Sequence, residues 1–154
     1  MSLNRSHVTL SHYVERRIGV PLGARGSLKR MLHQSLGAAS FGGFWRYWNP
    51  LWGYYLSRYV HTPLRRFMPS APAVVATFVL SGAIHDAAVY LATGSTRFLF
   101  ALWFGVLGTM VVVGSRRGLR YEFRLWPMRA LTNIAFIGAA FAIARFGEQL
   151  LDLL

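Results

Sequence analysis

One imidazole of the chain lies inside a long apolar run, where it could do acid–base chemistry. His85 and its neighbour Asp86 interrupt AVVATFVLSGAIHDAAVYLAT, residues 73–93. A neutral imidazole can accept a proton, so His85 is a candidate general base. Adjacent side chains on a helix point about 100° apart, so Asp86 is placed to orient His85 only indirectly. We expect Asp86 to pair instead with an arginine of the preceding segment.

The same residues allow simpler interpretations. An intramembrane His with a nearby Asp can serve only to join helices. Asn49, which precedes Pro50, is of a type that most often forms a turn or a cap. We predict no metal site, because the histidines lack HExxH spacing and the chain has no Cys. The other histidines lie in polar segments, where we expect them to be solvated: His7, His12, His33 and His61.

Three apolar stretches must position these groups, and each is long enough to be a candidate membrane span. They cover residues 73–93, 97–114 and 130–146. At about 1.5 Å per residue the first stretch reaches across a hydrocarbon core, with His85 about 18 Å from its start. A segment rich in Trp, Tyr and Arg precedes them and predicts an interfacial helix over residues 51–62. The predicted fold is therefore an all-α integral membrane protein, with about three transmembrane helices plus one or two interfacial amphipathic helices.

The charge distribution supports the same class and suggests an orientation. Apolar residues make up 54% of the 154 residues and charged residues only 14%, against about 25% in soluble domains. The net charge of +12 comes from basic residues before the first span and in the loop 115–129. By the positive-inside rule, we predict a multi-pass protein of the bacterial inner membrane, with its N-terminus inside and its C-terminus outside. Because topology accounts for the charge, we predict no nucleic-acid partner.

A change in composition divides the chain into two predicted regions. Residues 1–40 are basic and rich in Gly and Ser, and we predict a cytosolic or interfacial arm there. Residues 41–154 hold the apolar stretches and form the predicted membrane domain. Short helices are possible within the arm, over residues 14–20 and 28–36.

Three blocks in a fixed order resemble the C-terminal signature region of the membrane-bound O-acyltransferase family. They are FWRYWNP at 44–50, YVHTPLRRF at 59–67 and TFVLSGAIHD at 77–86. The resemblance implies transfer of an acyl group from a thioester, acyl-CoA, to a hydroxyl acceptor. Under it, His85 matches the catalytic histidine, and Asn49 matches a second polar residue that positions the acceptor or stabilises an oxyanion.

Further roles follow from the same resemblance. It implies no cofactor beyond acyl-CoA as a co-substrate, and it places phosphate or headgroup contacts on arginines near Asn49. The residues expected to bind substrate are Arg46, Trp48, Ser81 and Asp86.

The short length keeps a second function open. Family enzymes enclose their site with many more helices, so this chain is expected to bind membrane lipids and to form homo-oligomers or join other membrane subunits. It could also be a non-catalytic structural or accessory subunit of a larger complex. Small residues that suit close helix contacts favour this alternative: Gly105, Gly108, Gly138, Ala139 and Ala140.

Overall fold

The architecture comes from a computed structural model that describes residues 9–21 and 23–151. Within these residues every regular element is helical. Short helices come first: α1 Leu10–Ile18, α2 Ser27–Leu36, α3 Phe41–Tyr47 and α4 Pro50–Leu56. A π-helical turn, Ser57–His61, and α5, Thr62–Leu64, follow α4 directly. Three long helices complete the chain: α6 Ser70–Thr93, α7 Leu99–Arg116 and α8 Trp126–Leu151.

Helices α6, α7 and α8 are long and apolar enough to cross a membrane, which confirms the predicted fold class. Two of them begin earlier than predicted. Pro72 lies in the first turn of α6 and Pro127 in the first turn of α8, where proline costs no intrahelical hydrogen bond. The protein is therefore an all-α, multi-pass membrane protein.

Helices α6 and α7 form a closely packed hairpin. A Cβ atom at Gly82 would overlap the backbone of Phe100, and one at Gly108 would lie 2.9 Å from the Phe78 Cβ atom. Glycine at both positions therefore lets the two backbones approach, as small residues do between membrane helices. Gly108, expected to favour contacts with other subunits, is used within the chain.

Asp86 secures the start of α7. Phe98, at the N-cap of α7, has a φ of 57° and provides no side-chain cap. Asp86 replaces that cap from α6: its carboxylate accepts hydrogen bonds from the N–H of Phe100 at 3.1 Å and of Ala101 at 2.8 Å. The Thr96 hydroxyl donates a third at 3.3 Å. The expectation of an arginine partner was wrong, because the unpaired donors of a helix N-terminus attract a carboxylate equally well.

The N-terminal helices pack on the membrane helices. The side-chain amide of Asn133, fully buried in α8, donates to the carbonyls of Leu36 at 2.9 Å and Ala38 at 3.1 Å. The Trp126 indole donates to the His33 carbonyl at 2.9 Å. The division at residue 40 stays a prediction, and α2 packs against α8.

We predict that Asp86→Ala lowers the free energy of unfolding by about 1–3 kcal/mol, because it leaves the first N–H groups of α7 without acceptors. Thermal unfolding of the detergent-solubilised protein measures this loss. Glu122→Ala, which removes an exposed carboxylate, is the matched control and should leave the midpoint unchanged. Equal midpoints for the two variants would contradict the capping role.

Candidate functional site

Asn49 forms the N-cap of α4 in a left-handed conformation, with φ 39° and ψ 68°. Asparagine tolerates this region better than most residues, and Pro50 suits the first helical position. The Asn49 side-chain oxygen accepts a hydrogen bond from the Trp52 N–H at 3.2 Å. Since the cap uses the oxygen, the amide NH₂ group remains able to donate to a ligand.

Ser81 connects α4 to the candidate base through two of its atoms. The Trp52 indole donates to the Ser81 hydroxyl oxygen at 2.9 Å, and the Ser81 carbonyl lies 2.6 Å from Nδ1 of His85. A carbonyl can only accept, so Nδ1 carries the proton of the neutral ring. The Nε2 atom then holds the free lone pair that a general base requires.

The His85 ring lies against aromatic residues on one side and is open on the other. Its centroid is 5.8 Å from that of Phe100 and 5.1 Å from that of Phe104. Within the isolated chain His85 is an exposed residue, so the described residues do not enclose it. It lies about 22 Å along α6 from Ser70, which places the open side at membrane depth.

Asn49 and His85 line one cleft between α4 and α6, with a volume of about 280 Å³. Ligand pockets usually measure about 300–1,000 Å³, so this cleft suits a reacting group and the first part of an acyl chain. Trp48 and Ser81, both predicted to bind substrate, also contribute to its walls. Apolar side chains line much of it, among them Trp45, Leu56, Phe78 and Phe104.

Two of the predicted substrate-binding residues lie elsewhere. Arg46 is exposed and lines a different cleft, beyond α3. The Asp86 carboxylate is buried against the start of α7, which gives it a structural role. The sequence blocks therefore contain residues that line the cleft, Trp48 and Ser81, next to residues that lie outside it, Arg46 and Asp86.

His61 is a cleft residue that the sequence analysis missed. It was expected to be solvated, but it is half-buried in the π-helical turn, and its buried Nε2 atom has no hydrogen-bond partner among the described residues. Burial lowers the pKa of His61, and the nearby positive charge of Arg65 lowers it further. The four-residue spacing of Gly53, Ser57 and His61 is the signal that could have placed it on this face.

The described part of the chain contains no cluster of metal-ligating side chains. No group of three His, Asp or Glu side chains lies there in an arrangement that could hold a metal ion.

We predict that His61 makes the folded state less stable in acid. Its lowered pKa means that the folded protein binds this proton less readily than the unfolded chain, so stability falls as the pH drops below about 6.5. Thermal midpoints between pH 5 and 8 should fall less steeply for His61→Gln than for the wild type. His12→Gln removes an exposed histidine and should keep the wild-type slope, whereas equal slopes for all three proteins would contradict the prediction.

Comparison with known proteins identifies the family of the chain. A search of curated proteins and a search of solved structures each gave no match. A family model described as the membrane-bound O-acyltransferase family matches residues 33–131. The match extends beyond the three signature blocks, includes both Asn49 and His85, and covers well over half of the chain. The chain therefore belongs to the membrane-bound O-acyltransferase family.

Proposed function

We propose that the protein transfers an acyl group from acyl-CoA to a hydroxyl acceptor, with His85 as the general base. The observation that carries this proposal is the shared cleft: Asn49 and His85 both line it, from different helices. The tautomer set by the Ser81 carbonyl supports it, since Nε2 of His85 is the ring nitrogen left to accept a proton.

The proposed reaction conserves atoms and charge. Nε2 of His85 takes the proton of the acceptor hydroxyl while that oxygen bonds to the thioester carbon. The Asn49 NH₂ group donates to the oxyanion that develops on the former carbonyl oxygen. When the C–S bond breaks, the imidazolium returns its proton to the sulfur, which gives the acyl ester and free CoA thiol.

The membrane suits this chemistry. The acyl chain can remain in hydrocarbon beside the aromatic wall of the cleft, while CoA stays on the basic side of the membrane. We assign that basic side to the cytoplasm of a bacterial inner membrane, from the arginines before α6 and in the loop between α7 and α8. A second copy or another subunit would cover the open side of His85.

One observation favours an alternative function as a non-catalytic subunit of a larger membrane complex. His85 is exposed in the isolated chain, so its site is incomplete without a covering surface. In that case the chain co-purifies with a stoichiometric partner, and loss of His85 leaves the activity of the complex unchanged.

We predict that His85→Gln lowers acyl transfer by about 10²–10⁴-fold, the usual contribution of a general base. The purified protein in lipid nanodiscs would receive palmitoyl-CoA and a bacterial lipid extract, and a thiol reagent would follow CoA release while mass spectrometry follows the acyl ester. The chain has no Cys, so the reagent detects only CoA. His12→Gln is the control, and turnover by His85→Gln at the wild-type rate would refute the proposal.

We also predict that Asn49→Asp lowers the rate of transfer by about 10²–10³-fold, because it removes the donor to the oxyanion. Aspartate keeps an N-cap oxygen for the Trp52 N–H, so thermal stability should stay near that of the wild type. Asn49→Ala should lose both stability and activity. A fully active Asn49→Asp variant would show that the carboxamide is needed only as a cap.

A further inference from the structure

A second, larger cleft lies on the opposite side of α3 from the catalytic pair. Its volume is about 1,140 Å³, and it shares no lining residue with the cleft that contains His85. Trp45 of α3 and Trp48, the C-cap of this helix, line the first cleft. Arg46 and Tyr47 of α3 line the second cleft. An inference about this second cleft is therefore independent of the proposed acyl transfer.

The polar rim of the second cleft is positively charged. It contains Arg46 from α3, Arg120 from the loop after α7 and Arg129 from α8, and no Asp or Glu is among its lining residues. Nε of Arg129 donates to the Phe123 carbonyl at 2.7 Å, which fixes the direction of that guanidinium. In the described residues, Arg46 and Arg120 have no carboxylate within ion-pair distance. This rim suits an anionic group with several oxygen acceptors.

The deeper wall of the same cleft is apolar. Phe41, Met110, Val111 and Phe136 line it from α3, α7 and α8. Two of these helices are membrane spans, so the apolar wall continues from the charged rim toward the hydrocarbon core. A ligand that matches both parts has an anionic head and an apolar tail.

The shape of the cleft is set by contacts between distant parts of the chain. The His33 ring stacks on the Trp126 ring with centroids 5.3 Å apart, and the Trp126 indole donates to the His33 carbonyl. A Cβ atom at Gly37 would overlap the Trp126 side chain, so glycine is required for this contact. These packed residues belong to the wall of the cleft, which is therefore present before any ligand binds.

We propose that this second cleft binds the phosphate group of an anionic phospholipid, with part of one acyl chain along the apolar wall. Basic pockets at the ends of membrane helices recognise anionic lipid headgroups through the same chemistry. The three guanidinium groups donate hydrogen bonds to the phosphate oxygens and exceed its single negative charge. The apolar wall favours a lipid over a free phosphate ion, and the position beyond α3 separates the lipid from the reacting acyl donor.

A lipid titration of the full chain in detergent, followed by native mass spectrometry, tests this site. The probes are phosphatidylglycerol, phosphatidylcholine, CoA and inorganic phosphate. We expect one phosphatidylglycerol to bind at least about tenfold more tightly than phosphatidylcholine, and we expect neither CoA nor inorganic phosphate to displace it. The double variant Arg46→Gln/Arg120→Gln should weaken phosphatidylglycerol binding by about 30-fold.

The control removes the same charge from outside the cleft. Arg116→Gln/Arg117→Gln changes two exposed arginines near the end of α7 that do not line it, and should change binding less than about threefold. Equal losses in the two double variants would overturn the proposal in favour of diffuse surface charge. Displacement by CoA or phosphate would overturn it in favour of a soluble ligand. If the double variant does not fold, Arg46→Gln and Arg120→Gln singly should each lose about fivefold, and unchanged binding would overturn the site.

Discussion

The hydrogen bond from the Trp52 indole to the Ser81 hydroxyl fixes α4 against the first membrane helix, and the candidate site depends on it. Ser81 is almost fully buried, so this bond is shielded from competing water. The carbonyl of the same residue faces Nδ1 of His85 one turn later. Asn49 is the N-cap of α4 and accepts a hydrogen bond from the Trp52 N–H. Ser81 thus connects the helix capped by Asn49 to the helix that carries His85, and it sets the tautomer of the imidazole.

His85 and Asp86 are neighbours on α6 but face different parts of the protein, because a helix turns about 100° per residue. His85 faces the cleft, while Asp86 faces α7 and replaces the N-terminal cap that α7 lacks. Together with the close approach at Gly82, that cap holds α7 in place, and Phe104 on α7 then forms part of the wall beside His85. The aromatic side of the site therefore depends on a carboxylate that does not itself line the cleft.

The sequence was sufficient for the three spans, because uncharged length is a local property of a chain. The pairing of Asn49 with His85 came from the family resemblance and stays a prediction, although both residues line one cleft. The sequence was insufficient for contacts between distant segments. The Asp86 cap requires the position of a backbone that lies 14 residues further on. The wall of the second cleft requires Trp126 to reach the carbonyl of His33, 93 residues earlier. His61 was misjudged because its polar segment was expected to be solvated, although its four-residue spacing from Ser57 is consistent with the cleft face.

The central claim is that one cleft between α4 and α6 presents Asn49 and His85 to the same reacting carbon. Photo-crosslinking tests this most directly, with a thioether analogue of palmitoyl-CoA that cannot be cleaved and that carries a diazirine beside the sulfur. Peptide mapping after irradiation should place the label on the segments that contain Trp52 and Ser81 to His85, and unlabelled palmitoyl-CoA should compete for it. Label confined to the outer face of α8 or to the second cleft would contradict the account.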